Sequence, residues 1–154
     1  MKTHNYSINL NWTGNKGVGT KTYKEYDREY TFQAKDKAII HGSSDPAFLG
    51  NPALYNPEEL LLASIASCHM LWYLHLCASN KITVLDYQDQ PTGEMIENKD
   101  GSGNFTEVTL YPKIKLADKT MLEKAENLHK EANKFCFIAN SCNFPIHHQA
   151  TYHF

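Results

Sequence analysis

The chain has a single arginine, Arg28, and no pair of cysteines spaced Cys-x-x-Cys. Without such a pair, neither a zinc ribbon nor a thioredoxin-type redox motif is supported. Basic residues are scattered and the formal net charge is only −2. Nucleic acid and anionic membranes both call for a concentrated positive patch, so neither is expected as a partner. There is no internal repeat and no low-complexity stretch. The N-terminal "MKTHNYSINLNW" alternates instead of forming the apolar core of a secretory signal. Cys68, His69 and His75 match no standard ligand spacing, so no metal and no cofactor are expected. These absences point to a soluble, cytoplasmic protein.

What is present suits one domain over residues 1–154, with 42% hydrophobic and 21% charged residues to build a core and a surface. Four cysteines (Cys68, Cys77, Cys136, Cys142) are available. In a reducing compartment thiols serve as packing groups, ligands or redox centres more often than as structural disulfides. "YSINLNW" alternates as a half-buried strand does, and "TGNKGVGT" reads as a turn. "KTYKEYDREYTFQA" and "AIIHGS" read as two further strands of an antiparallel meander. A Pro/Gly/Asn-rich loop then covers 43–57.

The strongest element follows. Asn56 is a good N-cap, Pro57 suits the first helical position, and Glu59 completes a capping box. Glu58 and Glu59 also favour the positive end of the helix dipole. The helix 57–79 is apolar on nearly every face, more than one small sheet and one amphipathic helix can cover. A second copy of the chain could cover the remainder, so a homodimer is expected. Two strands around "ENKDGSGN", a second helix with Met121, Leu122, Ala125, Leu128 and Ala132 on one side, and a final strand over "PIHHQATYHF" complete an α+β chain.

"NPEELLLASIASC" and, near the C-terminus, "ANKFCFIANSCNFPI" resemble the OsmC/Ohr family of thiol-dependent peroxidases, the osmotically inducible protein C and organic hydroperoxide resistance proteins. "WTGNKGVGT" and "SSDPAFLGNP" resemble one branch of it. The resemblance implies antiparallel sheets around a long central helix, in an intertwined homodimer. It implies reduction of organic hydroperoxides, with recycling by a lipoyl-type dithiol or a small thiol. By position it makes Cys68 the peroxidatic cysteine, Glu58 the carboxylate ten residues before it, Cys136 the resolving cysteine and Arg28 the activating cation. The site is peroxiredoxin-like in using a cysteine alone.

Elementary chemistry bears on the same residues. A nucleophilic thiol must be a thiolate, and burial in an apolar helix works against that unless a cation is close. A guanidinium stays charged when buried, and a carboxylate such as Glu58 can hold it by a forked pair. Leu71, Trp72, Phe135 and Phe137 are candidate apolar walls. Glu58 and Cys68 lie about 15 Å apart along one helix, so they meet only if a second copy brings its helix antiparallel to the first. Cys77 is read as a packing residue, and Cys142 competes with Cys136 for the resolving role. A non-catalytic relative that binds an apolar or electrophilic ligand at the dimer interface is the alternative.

Overall fold

The structure is a computed structural model that describes residues 2–154. It divides into two compact units, one ending at Leu60 and the other Leu61–Phe154. The first holds the meander: β1 (Asn9–Trp12), β2 (Tyr30–Gln33) and β3 (Ile40–Gly42), each antiparallel to the next. Gly42 lies opposite Tyr30, and a Cβ there would fall 2.3 Å from the end of the tyrosine ring, so any larger residue would push the ring aside. The strand expected over 21–33 begins only at Tyr30. Before it, the Arg28 guanidinium donates to the carbonyls of Tyr23 and Tyr26 and lies 4.4 and 4.1 Å from their ring centroids. A guanidinium bound to two nearby carbonyls folds that stretch back on itself and leaves those acceptors unavailable to a ladder.

Helix α1 (Pro57–Ser79) starts as the sequence requires. The Glu59 N–H donates to Asn56 Oδ1 at 2.8 Å, and the Asn56 N–H donates to Glu59 Oε2 at 3.1 Å. This reciprocal pair satisfies two donors at the helix start. The helix ends in a Schellman arrangement: the Lys81 N–H donates to Ala78 O at 3.1 Å and the Ile82 N–H to Cys77 O at 2.9 Å. Lys81 takes the left-handed conformation there, with φ of 60°. Asn80 also donates its side-chain amide to Leu76 O.

In the second unit, each of the two long strands expected after α1 is two strands. These are β4 (Val84–Gln88), β5 (Thr92–Glu97), β6 (Gly103–Leu110) and β7 (Lys113–Leu116). Pro91 and Pro112 fall in the breaks, where a residue without an N–H cannot continue a ladder. The Asp89 carboxylate takes the Tyr111 N–H at 2.7 Å across the gap. Helix α2 (Leu122–Phe135) leads to β8 (Ile146–His148) and β9 (Thr151–His153), so the final strand is also split. The sheet orders are β4-β7-β9 and β5-β6-β8, and the last strands run parallel to their neighbours. The fold is therefore α+β and mostly antiparallel, with two parallel pairings made possible by the α2 crossover.

Ile65, His69, Tyr73 and Cys77, four residues apart, form the buried ridge of α1. Tyr73 and Cys77 pack with Ile82, Ile114, Leu116, Ala125 and Ala132, while Ile65 packs with Val108 and Leu110. The other faces of α1 are only partly covered within one chain, and Leu71 is 62% exposed.

Candidate functional site

Two of the four thiols come together. Cys68 sits in the middle of α1, half-buried, and Cys136 caps the C-terminus of α2, fully buried. The Cys136 N–H bonds to Ala132 O at 2.9 Å, which fixes the direction of its side chain. Burial first, and the neighbouring Cys68 thiol second, push the Cys136 thiol up to about 11, although the Ala139 N–H, 3.4 Å from its sulfur, pulls the other way. Cys136 thus keeps its proton at neutral pH. Cys77 and Cys142 are placed otherwise. Cys77 packs in the larger core cluster beside Tyr73, and burial raises its thiol. Cys142 donates to Ile138 O at 3.3 Å and packs beside Ile65, Val108 and Leu110.

Aromatic residues flank the pair. Trp72, one helical turn after Cys68, stacks on Phe135 with centroids 5.3 Å apart and meets Phe137 edge-on at 5.9 Å. Phe137 is 70% exposed. Leu71, Trp72 and His75 line a shallow groove of about 220 Å³. Trp72, Phe135 and Phe137 thus form an aromatic cluster, and Leu71 lines the groove next to Trp72.

Arg28 and Glu58 are not ion-paired. Arg28 is held by Tyr23 and Tyr26 as described, and one buried oxygen of Glu58 has no hydrogen-bond partner. Glu58 lies close enough to Tyr30 to add to the effect of burial in raising that phenol. Lys16, another basic residue of the first hairpin, pairs with Asp27 at 2.6 Å. Within the N-terminal unit, Ile8, Leu10, Trp12, Phe32 and Leu60 line an apolar cavity of about 540 Å³, with Arg28 and Tyr30 at its wall.

A third feature escaped the sequence reading. His69 Nε2 and His129 Nδ1 are 2.9 Å apart, both rings buried and their planes within 1°. His148 faces both, at 5.8 and 5.1 Å between centroids, and Tyr73 stacks on His129 at 4.1 Å. Burial first, and the neighbouring His148 second, push His69 down to about 4. Burial, His69 and His148 push His129 down to about 3. His148 is half-buried because β8 pairs with β6 beside this cluster. The periodicity could have shown it: His69 is four residues from Ile65 and from Tyr73, and His129 lies between Ala125 and Ala132 on the apolar side of α2. Among the described residues, no group of three or more His, Cys, Asp or Glu is arranged to hold a metal.

The chain is α+β, with a capped apolar helix whose central cysteine lies near a second cysteine at the end of the following helix. Comparison with known proteins makes the class specific. Residues 50–150 match the OsmC-like protein family, and the chain belongs to that family. An OsmC-like protein of unknown function from Vibrio cholerae has a similar structure. It is 28% identical, with a TM-score of 0.85, over 97% of this chain and 100% of its own. An organic hydroperoxide resistance protein from Elizabethkingia anophelis, crystallised with thiocyanate, is 21% identical with a TM-score of 0.69, over 99% and 98%. An organic hydroperoxide resistance protein from Legionella pneumophila, described as an OsmC and predicted redox protein, is 13% identical with a TM-score of 0.67, over the whole of both chains. No curated protein matches this sequence.

Proposed function

We propose that this protein is a cysteine-dependent peroxidase that reduces organic hydroperoxides through a Cys68–Cys136 disulfide. The observation that carries this reading is the placement of the buried Cys136 thiol beside Cys68, close enough for the two thiols to influence each other's ionisation. In the first step the Cys68 thiolate attacks the outer peroxide oxygen. The O–O bond breaks, Cys68 becomes a sulfenic acid, and the alkoxide takes a proton to leave as an alcohol. In the second step the Cys136 sulfur attacks the sulfenic sulfur. The disulfide forms, and the hydroxyl leaves as water with the Cys136 proton. A dithiol of the lipoyl type, or small thiols, then reduces the disulfide by exchange. The Trp72–Phe135–Phe137 cluster favours a peroxide with an apolar body.

Glu58 and Arg28 fit this scheme as residues of a homodimer. A second copy covers the exposed faces of α1 and brings its own first helical turn towards Cys68. The unpartnered Glu58 oxygen then receives a donor and Arg28 supplies the cation. A reducing compartment such as the cytosol suits such a cycle. The alternative, ligand binding without turnover, draws on the apolar cavity beside Arg28. The deciding experiment follows consumption of an organic hydroperoxide with a dithiol reductant, in wild type and Cys68→Ser. Turnover that needs Cys68 supports the peroxidase. Saturable binding of an apolar probe, with no turnover in either protein, supports the binder.

A further inference from the structure

From the contacts between the two helices that carry the thiols, we infer that His69 and His129 are positioning residues, a cross-helix tether that holds Cys136 within reach of Cys68. The inference rests on the proposed role of those two thiols and adds residues to it.

Besides the apolar packing of Ala125 and Ala132 with Tyr73 and Cys77, helix α2 makes two specific contacts with α1. Near its C-terminus, Phe135 lies on Trp72 and Cys136 lies beside Cys68. Seven residues earlier, about 10 Å along the helix, His129 bonds to His69 and stacks on Tyr73. On α1 the partners of these two contacts run from Cys68 to Tyr73. Two contacts far apart on one helix and close together on the other fix the angle between them as well as the distance. The thiol end is the weaker contact, because Cys136 is the last residue held by α2 and Phe137 is mostly exposed. The imidazole end is the stronger, being buried and joined by the 2.9 Å bond.

The bond is also demanding. One nitrogen must carry a proton and the other must be bare. Each ring's remaining nitrogen, His69 Nδ1 and His129 Nε2, is buried without a partner. Burying those two atoms unsatisfied is costly, so the cluster is not a filler that any apolar residue would improve upon by accident. The groups facing it are few. Tyr73 comes from α1, Glu126 and Lys130 from α2, His147 and His148 from β8, and Tyr152 from β9. Glu126, the only carboxylate among these, acts on His148 and Tyr152.

The test measures the effective concentration of Cys136 for Cys68 by equilibrating the protein with reduced and oxidised glutathione at pH 7.5. Cys77 and Cys142 are replaced by alanine. His129→Leu removes the tether. His129→Asn keeps a polar atom where Nδ1 was, and His129→Gln sets its amide one bond too far out. The expected result is an effective concentration lowered roughly tenfold or more in His129→Leu and in His129→Gln, but near wild type in His129→Asn. In His129→Gln the Cys136 thiol should also titrate below its wild-type value of about 11. Should the leucine variant not fold, the Asn–Gln comparison decides alone. Equal effective concentrations in His129→Asn and His129→Gln would overturn the inference. No peroxide enters this assay, so an inactive protein with an intact histidine effect would reject the peroxidase reading and leave the tether standing.

Discussion

Acidification should destabilise this protein at a pH above that at which carboxylates titrate. In the unfolded chain His69 and His129 have ordinary values near 6.5. In the folded chain burial holds them at about 4 and about 3. A depressed imidazole contributes nothing at pH 7.5, where both states are neutral. Below 6.5 the unfolded state gains a proton that the folded state refuses, so stability falls as pH falls, until the folded values are reached. The slope is about 1.4 kcal/mol per pH unit for each group. At pH 5 each imidazole has removed about 2 kcal/mol, and the pair about 4 kcal/mol. That is a large share of the roughly 5–15 kcal/mol that holds a domain folded. His148, also lowered by burial, acts in the same direction. The half-buried Asp89, raised by burial, acts in the other. Urea titrations at pH 7.5, 6 and 5 on wild type and on His69→Gln/His129→Asn isolate the two rings, since Asp89 is common to both proteins. Wild type should lose about 4 kcal/mol more than the double variant between pH 7.5 and pH 5. Parallel losses would show that the imidazoles are protonated in the folded state and that their burial has been misjudged.

Other outcomes follow from single contacts. Arg28→Lys should impair peroxide turnover almost as much as Arg28→Ala, because an ammonium cannot span the Tyr23 and Tyr26 carbonyls that hold the guanidinium; steady-state rates check this. Lys81→Gly should stabilise the protein by up to about 1 kcal/mol, since Lys81 occupies a left-handed position that glycine takes without strain. Asn56→Ala should cost about 1 kcal/mol through loss of the capping box, both being read as shifts in the urea midpoint. Light scattering at micromolar concentration should give the mass of a dimer, and a folded monomer would remove the partner copy from the proposed site.

Much of the fold was legible because local chemistry and tertiary structure agree in it. Asn56, Pro57 and Glu59 start α1 where such residues start helices, and Asn98–Ser102 turns the β5–β6 hairpin where "ENKDGSGN" stands. Failures came where a distant or non-periodic interaction decided the outcome. The tyrosines at 23, 26 and 30 look like a strand, but a single guanidinium bends the stretch before Tyr30. Pro91 and Pro112 were visible, yet the alternation of residues runs through both, and the breaks make sense only when β4 pairs with β7 and β5 with β6. The same pairing splits the final strand, since β8 follows β6 and β9 follows β7. At the site, Cys68 and Cys136 could be picked out by resemblance. The histidine cluster could not, because it joins residues from α1, α2 and β8 that share no motif.

The central claim is that Cys68 and Cys136 act as one redox pair, and peptide mapping tests it most directly. The protein is oxidised with one equivalent of an organic hydroperoxide, blocked at its remaining thiols and digested without reductant. A dominant Cys68–Cys136 cross-link, absent from Cys68→Ser, is the predicted result. A Cys68–Cys142 or Cys68–Cys77 link, or a peroxide that leaves all four thiols free to alkylate, would contradict it.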